Sequence, residues 1–215
     1  MEQLVEKIVS FDKQLLLSIN HWTAPWADRL MSTMSSVTVW FPLYILVAIA
    51  IFIPKIYSSR SLYFRECSGA KMWKAGLAAL AAVLVCYLLT DHVSDIVRNA
   101  VCRPRPGHDP EIGSQVRLIN GPGSPYGFFS GHAANTVGFA AITSLILRRR
   151  VWTAVSLIWA LLVCYSRCYL GQHYPLDVLT GILCGAAFAA ACYLIYRFLM
   201  RKINLRADSA SRGPS

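Results

Sequence analysis

Residues 151–200 read VWTAVSLIWALLVCYSRCYLGQHYPLDVLTGILCGAAFAAACYLIYRFLM, two apolar runs joined by a short polar turn. The second run, residues 176–200, is long enough to cross a bilayer, because a helical span needs about 20 mostly apolar residues. The first run, residues 151–165, is shorter and must extend into the polar residues that follow it. Together the two runs predict a helical hairpin through a membrane.

The composition of the whole chain agrees with a membrane protein. Hydrophobic residues make up 55% of the 215 residues and charged residues 15%, against about 25% charged in a typical soluble domain. The formal net charge of +10 would indicate nucleic acid as a partner of a soluble protein. Here most basic residues fall between or after the apolar runs, so we attribute them to membrane topology and predict no nucleic-acid partner.

The predicted fold class is all-α, a polytopic transmembrane helix bundle with about five spans. The spans are predicted at 37–53, 75–90, 133–147, 151–165 and 176–200. Residues 1–36 alternate apolar and polar groups at helical spacing, which predicts an amphipathic segment at the membrane interface rather than a signal peptide. Residues 37–200 form the predicted membrane domain, and residues 201–215 a basic, disordered cytoplasmic tail.

The distribution of Lys and Arg predicts the orientation. The loop 55–74, the triple arginine 148–150 and the basic tail all fall on one side if the spans alternate. The positive-inside rule makes that side cytoplasmic. The loop 102–130 and the turn 166–175 then face outward, as expected for a multi-pass protein of a bacterial inner membrane.

Three polar clusters fall on the predicted outer side. The first runs from Arg98 to Pro106, the second is Phe129-Ser130-Gly131-His132, and the third runs from Ser166 to Asp177. Guanidinium groups suit phosphate oxygens. Ser130 and Gly131 precede a predicted helix, whose free N–H groups form an anion site. The clusters therefore predict a site for a tetrahedral anion.

His173 and Asp177 stand four residues apart, with Pro175 suited to a first helical turn between them. A carboxylate bonded to one ring nitrogen leaves the other free, as in an activated nucleophile. His132 would then be available as a general acid. Each signal alone has a plain alternative, such as a headgroup anchor, a helix-start contact or a stiff linker, and only their joint occurrence on one predicted face indicates an active site.

The three clusters resemble the signature of the type 2 phosphatidic-acid phosphatase family, whose pattern is Lys-x6-Arg-Pro, Pro-Ser-Gly-His and Ser-Arg-x5-His-x3-Asp. The resemblance covers residues 75–195 and has two departures, Arg98 in place of Lys and Phe129 in place of Pro. It implies a metal-independent lipid phosphatase without a cofactor. The implied catalytic residues are His173, Asp177 and His132, and the implied phosphate-binding residues are Arg98, Arg105, Ser130, Gly131 and Arg167.

In this interpretation His173 attacks phosphorus to form a phosphohistidine, Asp177 orients His173, and His132 protonates the leaving oxygen. Arg103 lies outside the matched positions and is interpreted as a neighbour that meets lipid headgroups. Lipid A phosphate is the favoured substrate, with undecaprenyl diphosphate, phosphatidylglycerol phosphate and phosphatidic acid as alternatives. The segment 107–129 is predicted to shape headgroup choice. No obligate protein partner is implied.

Other classes are less compatible with the sequence. A transporter should carry charged residues in mid-membrane, and the predicted spans carry almost none. A scaffold with a relic site should have lost a histidine or an aspartate of the pattern, and a vanadate-dependent haloperoxidase should be soluble. No CxxC pair indicates a zinc site. A disulfide between Cys102 and Cys168 is conceivable if their side faces an oxidising compartment.

Overall fold

The computed structural model describes residues 2–57 and 72–211, and within them every regular element is a helix. The α-helices of this part are α1 Glu2–Asn20, α2 Pro25–Ser35, α3 Phe41–Ala50, α4 Met72–Val101, α5 Gly131–Leu147, α6 Arg150–Tyr169 and α7 Pro175–Ser211. Short 3₁₀ helices lie at Thr38–Trp40, Pro54–Ile56, Pro106–His108 and Gly113–Gln115. Part of the predicted basic loop 55–74 lies outside the described residues.

Helix α5 lies at the centre of the bundle, in contact with α4, α6 and α7. Small residues allow this close packing. A Cβ added to Gly181 of α7 would stand 2.6 Å from the carbonyl oxygen of Ser130, so a larger residue there would separate the two helices. The contact fixes the start of α5, where His132 lies, against the second turn of α7.

The predicted total of about five spans is not confirmed. Three helices are long and apolar enough to cross a bilayer, Trp73–Val101, Arg150–Tyr169 and Pro175–Lys202. A fourth span results if Pro25–Ser35 and Thr38–Ala50, which are bent by 69°, form one broken span. Helix α3 has 10 residues and is about 15 Å long, too short to cross alone. Helix α5, with 17 residues, is about 26 Å long and is enclosed by its neighbours.

The N-terminal segment packs onto the bundle. Helix α1 buries Asp12, Leu16 and Asn20 as one stripe, and it contacts α6 and α7. Asn20 Nδ2 donates to the carbonyl oxygens of Tyr169 and Arg117, at 2.8 and 2.9 Å. The sequence also predicts that α1 lies at the membrane interface. Its exposed apolar residues would contact the lipid there, and this part of the interpretation stays a prediction.

The structure also bears on the predicted C-terminal tail and on the predicted cysteine pair. Helix α7 continues to Ser211, into the tail predicted to be disordered, and residues 212–215 lie outside the described part. The disulfide between Cys102 and Cys168 is not formed, because both cysteines are free. Cys102 is exposed and donates to the carbonyl oxygen of Asn99, whereas Cys168 is buried among apolar side chains.

Candidate active site

The three polar clusters meet at one end of the bundle, which we call the site end. The last turns of α4 and α6 and the first turns of α5 and α7 form it. Arg98 lies on α4, His132 on α5, Arg167 on α6 and Asp177 on α7, while His173 lies in the short turn between α6 and α7. Alternating helix direction therefore brings together residues that are far apart in sequence.

His173 and Asp177 are both buried, with exposures of 1% and 0%. Nδ1 of His173 lies 3.6 Å from Oδ2 of Asp177, a distance that exceeds a hydrogen bond. The direct hydrogen bond predicted from their spacing is therefore absent. Oδ2 instead accepts from the backbone N–H of Tyr174 at 3.1 Å, a contact that caps the start of α7.

The His173 imidazole is held in its neutral form. Burial and the positive charges of three nearby arginines, Arg167 foremost, lower the pKa of His173 well below its usual range. A neutral ring has a free lone pair and can act as a nucleophile at neutral pH. Nδ1 faces Asp177, so Nε2 is the nitrogen available for attack.

The sequence suggested that Arg103, which lies outside the family pattern, meets lipid headgroups. In the structure it points into the protein. Its Nη1 donates to Oδ1 of Asp177 at 2.6 Å and its Nη2 to Oδ2 of Asp12 at 2.7 Å. Its guanidinium lies over the ring of Tyr174, 4.1 Å from the centroid. Arg103 is therefore bound to Asp177, the carboxylate beside His173. The sequence interpretation was wrong because the acidic residue that draws Arg103 inward is 91 positions away.

Arg98 reaches the start of α5. Its Nη1 pairs with Asp95 Oδ1 at 2.8 Å, while its Nε is buried and has no hydrogen-bond partner among the described residues. A Cβ added to Gly131 would lie 3.4 Å from Arg98 Nη2 and 2.9 Å from Ser94 Oγ. The absence of a side chain at Gly131 therefore allows the guanidinium to approach the N-terminus of α5.

Arg105 and Arg167 approach the same region from two other segments. Nη1 of Arg105 donates to Oε1 of Gln172 at 3.0 Å. Nη1 of Arg167 donates to Oγ of Ser35 on α2, and its Nε, also buried, has no partner in the described part of the chain. The hydrogen-bond partners of both guanidinium groups are thus neutral, and neither arginine forms a salt bridge in the described part of the chain.

Ser130 is the N-cap of α5. Its backbone N–H donates to the carbonyl oxygen of Asp177 at 3.0 Å, and its hydroxyl accepts from the N–H of Ala133 at 3.4 Å. The backbone N–H of Ser130 is therefore already bonded within the protein. Gly131 and His132 are the first two residues of the helix, so their N–H groups have no acceptor within it.

His132 is half-buried at the start of α5, among the same arginines. Burial and the positive charge of Arg167, followed by those of its neighbours, lower the pKa of His132 to about 3. The ring is therefore neutral in the free protein at neutral pH. A bound phosphate would offset the positive charge of the arginines and so raise the pKa of His132. It could also bring the proton that His132 needs in order to act as an acid.

Comparison with known proteins identifies the family. Residues 75–201 match the PAP2 superfamily, a range that contains all three polar clusters. The chain belongs to the PAP2 superfamily. The PAP2 assignment confirms the resemblance seen in the sequence, and it makes this chain a membrane lipid phosphatase.

Individual PAP2 relatives match most of the chain. The chain is 30% identical to the lipid A 4′-phosphatase of Bacteroides thetaiotaomicron, over 98% of this chain and 86% of the relative. It is 29% identical to the lipid A 4′-phosphatase of Porphyromonas gingivalis, over 90% of this chain and 76% of the relative. The crystal structure of a PAP2-type phosphatidylglycerolphosphate phosphatase from Bacillus subtilis has the same fold, with a TM-score of 0.60, 19% identity, and coverage of 93% of this chain and 87% of that one.

Several residues of the PAP2 site were missed by the sequence analysis. They are Asp12, Ser35, Ser94 and Gln172. Gln172 could have been found, since it precedes His173 within the third cluster. Asp12 and Ser35 lie outside the PAP2 match and have no fixed spacing to the polar clusters. No pattern in a single sequence identifies such residues.

Proposed function

We propose that this PAP2 phosphatase removes the 4′-phosphate of lipid A at the outer face of the bacterial inner membrane, through a phosphohistidine and without a metal. The observation that carries the proposal is the set of three arginines, Arg98, Arg105 and Arg167, around the two histidines. Two of them have a buried Nε without a partner among the described residues. Buried donors without acceptors are costly, so they indicate a ligand that accepts hydrogen bonds.

The chemistry follows from the same geometry. Nε2 of His173 attacks phosphorus, the bond from phosphorus to the lipid oxygen breaks, and His132 gives its proton to that oxygen. Water then attacks the phosphohistidine, His132 takes a proton from the water, and the bond from nitrogen to phosphorus breaks. The arginines stabilise the charge that develops on the equatorial oxygens, which is the role that a metal ion has in other phosphatases.

The choice of lipid A rests on similarity beyond the catalytic core. The likeness to the Bacteroides lipid A 4′-phosphatase extends over 98% of this chain, so it includes the N-terminal segment that the PAP2 match leaves out. The loop 107–129 packs against that segment, since Arg117 of the loop pairs with Asp28 of α2 at 2.8 Å. We therefore assign headgroup choice to this loop and α2 together.

A substrate panel tests the proposal. Purified protein should release inorganic phosphate from lipid A in the presence of a chelator, and mass spectrometry should place the loss at the 4′ position. Undecaprenyl diphosphate and phosphatidylglycerol phosphate should be hydrolysed at least about 10-fold more slowly, as expected when one pocket discriminates by 1–3 kcal/mol. Loss of activity with chelator, or preference for another lipid, would contradict the proposal.

The pH dependence gives an independent check. Both histidines are neutral in the free protein, so the proton for the leaving oxygen must arrive with the substrate, whose phosphate has a second pKa of about 6. Because the pKa of His173 is lowered, mild acid does not protonate the nucleophile. We expect kcat/KM to rise or stay level as the pH falls from 8 to about 5.5. A decline below about pH 7 would mean that His173 titrates at its ordinary value.

The outward orientation can be tested by cysteine labelling. In a Cys67→Ser, Cys102→Ser background, Ser114→Cys in an exposed part of the loop 102–130 should react with a membrane-impermeant maleimide on intact spheroplasts. Arg150→Cys, at the opposite end of the bundle, should react only after permeabilisation. The reverse pattern would place the site in the cytoplasm and overturn the predicted topology.

A further inference from the structure

Helix α1, outside the PAP2 match, places a buried carboxylate next to the catalytic machinery. Asp12 has an exposure of 2%. Its Oδ1 accepts from the backbone N–H of Leu176 at 2.9 Å, and its Oδ2 accepts from Nη2 of Arg103 at 2.7 Å. Asp12 therefore caps the first turn of α7 from another helix and also holds the guanidinium that contacts Asp177.

Arg103 connects two carboxylates that would otherwise repel each other. Its Nη1 bonds Asp177 at 2.6 Å, and Asp12 occupies the other side of the same guanidinium. With both carboxylates ionised, the three groups carry a combined charge of −1. If Asp12 were neutral, the charge of Arg103 would be balanced by Asp177 alone, and nothing would remain to balance a positive His173 ring.

A second contact of α1 supports the residue next to the nucleophile. Lys13 pairs with Asp109 at 2.9 Å, and Asp109 Oδ2 accepts from the hydroxyl of Tyr174 at 2.7 Å. The ring of Tyr174 lies under Arg103. Asp12 therefore supports the ring face of Tyr174 through Arg103, and Lys13 supports its hydroxyl through Asp109. Tyr174 directly follows His173 in the chain.

We infer that α1 is part of the catalytic apparatus, and that Asp12 is a positioning residue that acts through Arg103 on Asp177. This inference rests on the proposed phosphohistidine chemistry. The ring of His173 becomes positively charged when Nε2 bonds phosphorus. Asp177, 3.6 Å from Nδ1, balances that charge only if Arg103 is itself neutralised by Asp12. The contribution of Asp12 therefore appears in the transition state and not in substrate binding.

The substitution Asp12→Asn separates this role from simple capping. Asparagine keeps an oxygen that can accept from the N–H of Leu176, and it removes the negative charge that Arg103 requires. We expect kcat to fall about 10- to 100-fold, the cost of a misplaced catalytic group, with KM changed less than about 2-fold. Glu6→Gln, which removes the same charge from an exposed position of α1, should leave both constants unchanged.

A double-substitution cycle tests whether Asp12 acts through Arg103. Arg103→Gln leaves two carboxylates without their shared cation, and adding Asp12→Asn restores the charge of −1 near His173. The second substitution should therefore not lower kcat further in the Arg103→Gln background. If Asp12→Asn lowers kcat by the same factor in both backgrounds, or alters only the unfolding temperature, the inference is overturned. Should Arg103→Gln fail to fold, the charge-balanced double variant is compared with Asp12→Asn, and a lower kcat in the double variant counts against the inference.

Anion binding separates this inference from the choice of lipid. Orthovanadate can bond Nε2 of His173 and so requires the balanced ring, whereas inorganic phosphate requires only the arginines. Asp12→Asn should raise the inhibition constant of vanadate about 10-fold and that of phosphate less than about 2-fold, both measured against a soluble aryl phosphate as substrate. Equal weakening of both anions would overturn the inference. A protein that hydrolyses no lipid A and still shows the selective loss of vanadate binding would contradict the proposed substrate and support the role of Asp12.

Discussion

Replacement of His173 by alanine should lower kcat/KM for the lipid phosphate by about 10⁴-fold or more, to the level of the assay background. The ring is buried beside Asp177, and the proposed mechanism assigns the attack on phosphorus to it alone. The arginines remain in the variant, so inorganic phosphate should still bind with an affinity within a few-fold of the parent. Activity and phosphate competition, measured on the same detergent preparation, give both quantities.

The control for this prediction is His92→Ala. His92 is exposed on α4, and its ring bonds the carbonyl oxygen of Leu88 within its own helix. This variant should keep full activity. A phosphoenzyme that is labile to acid and stable to base should form in the parent and in His92→Ala but not in His173→Ala. Full phosphatase activity without His173 would exclude the proposed mechanism.

Replacement of His132 by alanine should have an effect that depends on the leaving group. For a lipid alkoxide, which needs a proton to depart, we expect kcat/KM to fall about 10²- to 10⁴-fold, the usual contribution of a general acid. For p-nitrophenyl phosphate, whose phenolate leaves without a proton, formation of the phosphoenzyme should be nearly unaffected. Single-turnover kinetics with both substrates will measure the difference.

The second half of the cycle provides a further check on His132. The same ring is expected to activate the water that hydrolyses the phosphohistidine, so His132→Ala should accumulate phosphoenzyme when p-nitrophenyl phosphate is the substrate. A burst of nitrophenolate, equal to the amount of enzyme and followed by slow turnover, is the expected time course. An equal loss for both substrates, with no burst, would indicate that His132 only binds phosphate.

Much of the site could be predicted because its residues sit in short, local motifs. His173 and Asp177 share one turn of chain, and Ser130 to His132 share the start of one helix, so their spacing restricts where the side chains point. The convergence of the three clusters followed from the predicted alternation of helices. The 3.6 Å separation of His173 and Asp177 could not be predicted, since spacing along a helix gives proximity and not a hydrogen bond.

The predicted total of about five spans is not confirmed, because hydropathy alone does not decide which apolar runs cross a membrane. Hydropathy measures the tendency of a residue to leave water for an apolar environment. It does not distinguish a helix that faces lipid from one that is enclosed by other helices. Helix α5 is apolar and lies between α4, α6 and α7, and its 17 residues are at the lower limit of the length that a span requires. The apolar run 37–53 likewise contains α3, a helix of 10 residues that follows a sharp bend after α2.

By itself, the sequence determined the membrane class and the PAP2 motifs, and it singled out two candidate histidines, because each depends on composition or on spacing within a few residues. Only the tertiary structure decided what surrounds them. Asp12 and Ser35 join the site from α1 and α2, and Arg103 turns inward to Asp177 instead of outward to headgroups. The reason is that a charge in a buried site must find its partner in space, and that partner can come from any distance along the chain.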